Sequence, residues 1–411
     1  MRVVVPYWSG VPPGCFYQEF HQGIGDALRE LGHEPVLFSF TTKCGLTQPE
    51  AREWCRLLER VGPGAILDLA CWGCAFSGVW VTGDGPQKQP ISDRLGIPHV
   101  AWLFDHLHSQ FIHNIHASRL YAAYPDLGQP NQATLIYPNL KVAGNIIAPP
   151  AVRPGIDVSA RDWAAGRDVD VLYVGNLEPG ALNRVWNDRS DARWRISHDP
   201  EFCDAFADAM LAAPEQGLHL GMQAAIAVRG ITHLGLHAQF SAVEYFLRHT
   251  FRRDVVVALA RSGLRMRVVG SGWESVALPP NVEFGAPTSY PGFLSMVGRA
   301  KICLDASTYV DGANDRVFTY AANRAVCFTN AAGYVRGTFG DGRGMGFYSL
   351  RSLAELGEQI QDLLARPSVL RAMGETAKQT VLSAHTWRHR VGDILSATKG
   401  RIDPPATPVA S

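Results

Sequence analysis

Residues 2–8, RVVVPYW, run into the loop SGVPPGC at 9–15, and apolar residues then recur at three- and four-residue spacing up to Leu31. The unbroken apolar run is typical of a buried strand, and the spacing is typical of one face of an amphipathic helix. Gly32 ends this helix, and residues 34–40, EPVLFSF, are the next predicted strand. A strand, a tight loop, a helix and a second strand make a βαβ unit, which predicts a parallel sheet.

The same alternation continues through the first part of the chain. It predicts a helix at 49–61, strands at 65–72 and 98–104, and a weaker strand at 133–137. Residues 148–155, APPAVRPG, are the best candidate for a linker, because their prolines cannot continue a helix or a central strand.

After this linker the alternation restarts, with a mainly helical stretch at about 200–262. The further predicted strands are 170–175, 266–270, 281–284, 301–306, 325–330 and 346–349, and helices at 352–399 follow them. We therefore predict an α/β fold of two Rossmann-like domains that face each other across a cleft.

Composition excludes several classes of protein. Lys and Arg together number 38, as do Asp and Glu, so the formal net charge is zero and a general nucleic-acid binder is excluded. No stretch approaches the roughly 18–20 uncharged apolar residues of a membrane span, and the start of the chain lacks a signal-peptide pattern. The eight cysteines are spread over a long chain, which favours reduced thiols over a disulfide framework. We therefore expect a cytoplasmic protein.

Two common nucleotide-binding motifs are missing from the sequence. The loop between Gly10 and Gly14 is not G-x-G-x-x-G, and no acidic residue ends the second strand near Phe40, which disfavours a dehydrogenase. The chain also lacks the G-x-x-x-x-G-K-[ST] pattern of a P-loop. The two glycines would still let this loop approach a phosphate closely.

The most informative local sequence is YVDGANDRVFTYAA at 309–322, which follows the predicted strand 301–306 and opens a helix. Free backbone N–H groups in the loop and the positive end of the helix would together attract an anion. Arg316 stands in the first turn, where its charge opposes the helix dipole, so a phosphate partner explains it better than helix stability does. The alternative is a solvent-exposed arginine on an ordinary loop between a strand and a helix.

These residues resemble the C-terminal domain of the CgeB-type, spore-maturation-protein-like glycosyltransferases of the GT-B fold. The similar pieces occur in the family's order and are densest after about Val268. They are the strand 170–175, GSGW at 270–273, KICL at 301–304, NDRVF at 314–318, VCFTN at 326–330, FYS at 347–349 and HTWRHR at 385–390, with GIPHVAWLFD at 96–105 in the first part.

The resemblance implies an enzyme that transfers a sugar from a nucleotide-diphosphate sugar to an acceptor hydroxyl, without a metal. It implies a GT-B architecture with an acceptor domain at 1–150 and a donor domain at 165–385 that contains the helical insertion 200–262. A helix at 386–400 would pack back on the first domain, and the tail at 401–411 is expected to be disordered.

The resemblance also implies roles for individual residues. Arg316, with backbone groups of Asn314 and Asp315, is expected to hold the diphosphate. Asp311 is expected to contact the donor sugar, and Thr319 the ribose. The remaining expected contacts to the donor are Gly10, Gly14, Gly175, Gly270, Gly272 and Trp273.

Two positions depart from the family's pattern. The acidic pair E-x7-E of many retaining GT-B enzymes reads D-x7-T here, from Asp311 to Thr319. A hydroxyl binds a ribose less strongly than a carboxylate does. Arg324 stands where the family usually has glycine.

Asp105, His106 and His108 are the candidates for the catalytic base. They directly follow the predicted strand 98–104, where an acceptor hydroxyl would be deprotonated. The alternative for Asp105 is an N-cap of the next helix. Five histidines fall within 99–116 with ligand-like spacings, but no carboxylate or cysteine framework accompanies them, so we expect no metal.

The sequence leaves the substrates open. The donor could carry UDP, GDP or dTDP, and the acceptor could be a protein, a polysaccharide or a small molecule; no cofactor is expected. Two alternatives to a transferase remain, namely a nucleotide-sugar epimerase on the same fold and a non-catalytic nucleotide-sugar-binding protein.

Overall fold

The computed structural model describes the following residues: 1–10, 15–41, 46–69, 80–81, 89–105, 118–138, 140, 142–153, 166–184, 186, 199–230, 236–330, 333–340 and 342–399. The chain divides into two compact units. The first unit comprises Met1–Pro125, Tyr137–Ala148 and the residues from Trp387 onward. The second comprises Asp126–Ile136 and Pro149–Thr386.

The first unit is built on a six-stranded parallel sheet. Its strands are β1 (Arg2–Trp8), β2 (Glu34–Phe40), β3 (Ala65–Leu69), β6 (His99–Trp102), β7 (Leu120–Tyr124) and β8 (Gly144–Ile147), in the order β2-β1-β3-β6-β7-β8. Two short strands, β4 (Trp80–Val81) and β5 (Gln89–Pro90), pair separately. The helices that precede the second unit are α1 (Phe16–Glu30), α2 (Gln48–Val61) and α3 (Ile91–Arg94).

The second unit is built on another six-stranded parallel sheet. Its strands are β9 (Val169–Val174), β10 (Met266–Val269), β11 (Val282–Gly285), β12 (Ala300–Asp305), β13 (Val326–Thr329) and β14 (Gly346–Phe347), in the order β11-β10-β9-β12-β13-β14. Its helices are α4 (Gln129–Ile136), α5 (Pro200–Ala212), α6 (Leu218–Arg229), α7 (Leu236–Arg261), α8 (Tyr290–Arg299), α9 (Asp315–Ala322), α10 (Gly333–Phe339), α11 (Leu353–Leu364) and α12 (Pro367–Ala384).

Helices cover both faces of the second sheet, which explains why its strands are apolar runs rather than alternating patterns. One apolar cluster joins the sheet to α7 and α11 through residues such as Val255 and Leu356. The other joins it to α8, α9 and α12 through residues such as Val297, Phe318 and Val381.

The last helix, α13 (Trp387–Lys399), belongs to the first unit and packs on α1. Gly23 makes this packing possible, because a Cβ at that position would overlap the indole of Trp387. The same indole lies 5.1 Å from the ring of Phe20 and 5.5 Å from that of Trp102. An aromatic cluster therefore connects α13 to α1 and β6.

In each sheet the strand order reverses at one point, between β1 and β3 in the first and between β9 and β12 in the second. Ligands of open parallel sheets bind outside the carboxyl ends of the strands at such a reversal. In the second unit these ends are Val174 and Asp305. The fold thus points to this edge before any side chain is considered.

The predicted strand at 133–137 is wrong. Residues Gln129–Ile136 form α4, in which buried side chains recur at helical spacing. The strands of this region are β7 and β8, which the sequence analysis missed. A short apolar run cannot be assigned to a helix or a strand by periodicity alone. In the structure the strand that pairs with β6 is β7.

Two expectations from composition can be compared with the described residues. None of the helices in the described part of the chain is both long and apolar enough to cross a membrane. The cysteines whose state the structure gives are free thiols, namely Cys15, Cys55, Cys203, Cys303 and Cys327.

Candidate functional site

The carboxyl ends of β9 and β12 carry a cluster of buried polar side chains. Asp305, the last residue of β12, is 1% exposed. Its carboxylate accepts hydrogen bonds from Asn314 Nδ2 at 2.6 Å and from Thr329 Oγ1 at 3.1 Å. It also pairs with Arg316 Nη2 at 3.6 Å. Asp305 therefore connects β12, β13 and α9 at this edge.

The loop at 306–314, which joins β12 to α9, is fixed by side chains from neighbouring elements. Asn330, just past β13, exchanges two hydrogen bonds of 2.8 Å with the main chain of Ser307. Glu244 of α7, which is fully buried, accepts a hydrogen bond of 2.9 Å from Thr308 Oγ1. A loop held in this way is ordered before a ligand arrives, which lowers the entropic cost of binding.

Arg316 lies largely buried under the same edge. Its Nη1 donates a hydrogen bond of 2.5 Å to the carbonyl oxygen of Val174, the last residue of β9. Gly175 leaves space for the guanidinium, since a Cβ there would lie 3.0 Å from Nη1. Burial alone lowers the pKa of Arg316, but the negative charge of Asp305 and of other neighbours outweighs it and raises the pKa overall.

Two further arginines reach this edge from α7. Arg248 donates to Glu244 through Nε at 2.8 Å and through Nη2 at 3.0 Å. Arg252 Nη1 donates to the Asn176 carbonyl at 3.1 Å, whereas its buried Nε has no hydrogen-bond partner within the described part of the chain. Burial lowers the pKa of Arg252, and the charges of Arg316 and Arg248 lower it further. We call Arg248, Arg252 and Arg316 the arginine cluster.

The arginine cluster carries more positive charge than the two buried carboxylates beside it compensate. Arg248 is paired with Glu244, and Arg316 is paired with Asp305. Arg252, whose Nε is buried, forms no salt bridge with a carboxylate of the described residues, and burying positive charge without a counterion is costly unless an anion joins it. The cluster can therefore bind an anion.

His249, the neighbour of Arg248 on α7, has a pKa that is lowered by the same positive charges. Burial lowers its pKa to about 4, and Arg252 and Arg248 contribute to this shift. Its Nδ1 accepts the backbone N–H of Glu178 at 3.1 Å. His249 is therefore neutral near pH 7 and adds no charge to the cluster.

The contribution of α7 to this site was not predicted from the sequence. Glu244, Arg248 and Arg252 stand four residues apart, which places them on one face of the helix.

 The next turns of the same helix pack in the apolar core through Val255, Val256 and Leu259. A charged face on a helix that is otherwise apolar is the signal that could have identified these residues.

The predicted anion site at the start of α9 is partly occupied by the protein itself. The side-chain oxygen of Asn314 accepts the backbone N–H groups of Arg316 at 2.9 Å and of Val317 at 3.4 Å. Two N–H groups that the sequence analysis treated as free are therefore already bonded. The carbonyl of Asp315 accepts the hydroxyl of Thr319 at 2.9 Å, and Thr319 is 2% exposed. The Thr319 hydroxyl is thus bonded within its own helix, and its contact with a ribose stays a prediction.

Asp311, the predicted sugar contact, lies in the same loop and is partly exposed. Its N–H donates to Asp126 Oδ2 at 2.9 Å, and its carbonyl accepts the N–H of Leu127 at 3.3 Å. Gly333 leaves space for the Asp311 carboxylate, because a Cβ at Gly333 would overlap it. Many members of the resembled family have an acidic residue at both positions of this pattern. Here only the first, Asp311, has a carboxylate, because the second is Thr319.

The predicted turn residues come together, but mainly to pack against one another. Gly270 and Gly272 have φ angles of 143° and 85°, and a Cβ at Gly272 would overlap the carbonyl oxygen of Leu177. Trp273 is 1% exposed, and its Nε1 donates to the Gly175 carbonyl at 2.7 Å. The structure therefore places Trp273 in the core, where its ring cannot stack on a sugar.

The predicted residues of the first unit are only partly described. Gly10 follows β1 at the strand reversal, with the Trp8 indole against it. Asp105 follows β6 and is half-buried. Gly14, His106 and His108 lie outside the described residues.

No group of three or more His, Cys, Asp or Glu side chains that could hold a metal occurs among the residues that the structure describes. His99, the first member of the histidine-rich stretch, is buried and its Nε2 lies 3.1 Å from Asp68 Oδ2. The other four histidines of that stretch lie outside the described residues.

Comparison with known proteins agrees with this geometry. Residues 248–396 match the model of a family described as glycosyl transferase-like. The matched part begins at Arg248 and contains the whole arginine cluster. No curated protein matches the chain in sequence.

Solved structures resemble nearly the whole chain. A glycosyltransferase from Rickettsia africae ESF-5 has a TM-score of 0.57 and 9% identity, covering 98% of this chain and 99% of that one. A sucrose-phosphate synthase from Thermosynechococcus elongatus has a TM-score of 0.53 and 10% identity, covering 97% and 98%. HepE from Anabaena, in complex with UDP and glucose, has a TM-score of 0.51 and 10% identity, covering 97% and 100%. At these identities the likeness concerns the fold. The chain therefore has the GT-B fold, and its residues 248–396 are similar to a glycosyl transferase-like family.

Proposed function

We propose that the protein is a glycosyltransferase that binds a nucleotide-diphosphate sugar in its second unit and transfers the sugar to an acceptor hydroxyl. The observation that carries this proposal is the arginine cluster at the strand reversal of a GT-B sheet. The cluster lies where ligands of such folds bind, and Arg252, which pairs with no carboxylate of the described residues, favours a bound anion.

A diphosphate suits this site for a chemical reason. When the bond between the sugar and the diphosphate breaks, negative charge develops on the leaving phosphate oxygen. Cations fixed in a water-poor site stabilise that charge more than water does, and they need no reorganisation during the reaction. In the proposal Arg252 and Arg316 contact the diphosphate directly, and Arg248 adds to the positive field.

The donor sugar is assigned to Asp311. Its carboxylate is the one acidic group of the loop at 306–314 that is partly exposed, and the geometry of the loop is fixed by buried anchors. The complex of HepE with UDP and glucose makes a uridine nucleotide the first donor to test. The order of the sequence pieces supports assignment to the CgeB type.

The acceptor is assigned to the first unit, with Asp105 as the candidate base. It follows a strand of that sheet and is half-buried, so it can keep a carboxylate in contact with water. In this scheme the arginine cluster supplies the positive charge that a divalent metal would otherwise provide.

A ligand panel tests the proposal. UDP, GDP, dTDP, CMP and NAD would be added to the wild type, to Arg252→Gln and to Arg253→Gln, and the melting temperature would be measured. A ligand at 100 times its dissociation constant stabilises by about 2.7 kcal/mol, which is readily detected. Arg253 is the matched control, because it is the next residue of α7 and pairs with Asp254 instead.

We expect one nucleoside diphosphate to stabilise the wild type and Arg253→Gln but not Arg252→Gln. Stabilisation by NAD alone, or by no nucleotide, would overturn the proposal. Release of the free diphosphate from the matching nucleotide sugar, dependent on an added acceptor, would then distinguish a transferase from an epimerase or a binding protein.

A further inference from the structure

Asp126 is a buried carboxylate that the reaction scheme above does not use. It lies two residues beyond β7, belongs to the second unit, and is 7% exposed. Its Oδ1 accepts the N–H of Gly128 at 2.7 Å. Its Oδ2 accepts the N–H groups of Val310 at 3.2 Å and of Asp311 at 2.9 Å. Both oxygens are therefore committed to main-chain donors.

The segment around Asp126 holds the backbone of Asp311 from both sides. The Asp126 carboxylate accepts the Asp311 N–H, and the Asp311 carbonyl accepts the N–H of Leu127. Asp126 and Gly312 also form an isolated antiparallel bridge. These bonds fix the main chain of Asp311 but leave its side chain available.

The direction of the Asp311 side chain is limited from a third side by Gly333. The space that a Cβ at Gly333 would fill is taken by the Asp311 carboxylate. The position of this carboxylate therefore depends on Asp126, which sets the backbone, and on Gly333, which provides the room.

Burial and neighbouring groups shift the pKa of Asp126 in opposite directions. Burial raises the pKa of Asp126, the main-chain hydrogen bonds lower it, and the nearby charge of Asp311 raises it again, with a net rise. His219, at the start of α6, lies beside Gly128, as Asp126 does. Its Nδ1 and Asp126 Oδ1 lie 2.9 and 3.1 Å from the position that a Cβ on Gly128 would take. A buried carboxylate beside a second carboxylate is costly, and three main-chain donors offset that cost.

We propose that Asp126 is a positioning residue for the donor sugar, because it fixes the main chain of Asp311 and so determines where the Asp311 carboxylate meets the sugar. This inference rests on the proposed function and deepens it. The nucleotide is held by the arginine cluster, which Asp126 does not contact. Loss of the Asp126 carboxylate should therefore weaken recognition of the sugar and leave recognition of the diphosphate intact.

Calorimetric titration with two classes of ligand tests this inference. UDP, GDP and dTDP would be compared with their glucose conjugates on the wild type and on Asp126→Asn. In the variant one carboxylate oxygen becomes an N–H₂ group, which cannot accept the main-chain N–H that it meets. Asp199→Asn is the matched control, since Asp199 also accepts a main-chain N–H, that of Phe202 at the start of α5.

We expect Asp126→Asn to bind the glucose conjugate roughly tenfold more weakly, the effect of losing about one charged hydrogen bond, while binding of the free diphosphate changes by less than about threefold. Asp199→Asn should match the wild type for both ligands. Equal losses for the diphosphate and its conjugate, or no loss for either, would overturn the positioning role.

Two further variants separate positioning from a general structural effect. Asp311→Asn should lose the same affinity for the conjugate, and the double variant Asp126→Asn/Asp311→Asn should lose no more than either single variant. Additive losses would contradict an action of Asp126 through Asp311. Gly333→Ala displaces the Asp311 carboxylate without altering Asp126, and we expect the same selective loss from it even if Asp126→Asn folds poorly.

The inference and the proposed function fail in different ways. If the wild type binds none of the diphosphates or their conjugates, the proposed function fails and this inference falls with it. If the wild type binds a diphosphate and its conjugate, and the Asp126 and Gly333 variants bind both as the wild type does, only the inference fails.

Discussion

Arg316 Nη1 donates a hydrogen bond of 2.5 Å to the carbonyl oxygen of Val174, which lies 142 residues earlier in the chain. The same guanidinium pairs with Asp305 at the end of the neighbouring strand. Arg316 therefore joins β9, β12 and α9 at the point where the strand order reverses. A residue expected to bind a diphosphate is thus also part of the structure of the sheet edge.

This double role predicts that Arg316→Ala destabilises the second unit. The substitution leaves Asp305 buried without its cation, and breaking such a buried pair costs about 3–5 kcal/mol. Urea denaturation followed by circular dichroism should show the loss in the absence of any ligand. Arg351→Ala serves as a control, because Arg351 pairs with Glu215 and is more than half exposed; its stability should change by less than about 1 kcal/mol. A wild-type stability for Arg316→Ala would contradict the structural role.

Arg252 should behave in the opposite way. Among the described residues no carboxylate forms a salt bridge with it, the nearby Glu244 is already paired with Arg248, and the charges of Arg316 and Arg248 lower its pKa. Arg252→Gln should therefore leave the stability of the free protein unchanged or raise it. The same substitution should reduce affinity for a nucleoside diphosphate by roughly 10- to 100-fold, the effect of about 1.5–3 kcal/mol from a lost charged hydrogen bond. Denaturation and calorimetry on the same preparation give both values. A variant that loses stability as well as binding would show that Arg252 serves mainly the fold.

The close packing of the turn at 270–273 predicts that Gly272→Ala is destabilising. Gly272 has a φ of 85°, and a Cβ would overlap the carbonyl oxygen of Leu177. Strain of this kind typically costs about 1–3 kcal/mol. Gly180→Ala is the matched control, since a Cβ at Gly180 would meet nothing within 4 Å. Thermal unfolding should separate the two variants, and equal melting temperatures would contradict the packing role.

Much of the fold could be predicted because long apolar runs between glycines mark strands of parallel sheets. The strands at 2–8 and 34–40 were predicted at the bounds that the structure shows. The strands at 120–124 and 144–147 were missed, because they are short and depend on pairing with neighbours. Local pattern carries no information about pairing between distant segments.

The candidate site shows the same difference between residues that belong to one local sequence and residues that come together only in the folded chain. Arg316 and Asp311 were identified because they belong to one local sequence, 309–322. Arg252 and Asp126 were missed, since they reach the site through tertiary structure; Asp126 stands 185 residues before Asp311. Nothing in the sequence around either residue shows that it lies near this loop.

Residue 324 is one of the positions where the sequence departs from the family that it resembles. Arg324 has a φ of 59°, the left-handed conformation that explains a glycine at this position. Its Nε donates to Glu375 at 2.6 Å, an interaction that a glycine could not make. The side chain therefore offsets part of the strain that its backbone carries.

The stability of the first unit should depend on pH through a buried histidine, His21. His21 of α1 is 7% exposed, its Nε2 has no hydrogen-bond partner within the described residues, and its ring lies 5.6 Å from that of Tyr7. Burial lowers the pKa of His21 to about 4, from an ordinary value of 6.5. The unfolded chain therefore binds a proton at this residue between pH 6.5 and 4, whereas the folded chain does not. The stability that this difference provides is complete above pH 6.5 and is lost as the pH falls toward 4.

The size of this effect follows from the shift, at 1.36 kcal/mol for each pKa unit, and amounts to about 3 kcal/mol. His21→Gln should remove it, so the free energy of unfolding of the variant should fall less than that of the wild type between pH 7.5 and 4.5. Urea denaturation at several pH values measures the difference between the two slopes. His237→Gln, which changes an exposed histidine, should keep the wild-type slope. If His21→Gln and the wild type lose stability in parallel, His21 is not buried in its neutral form.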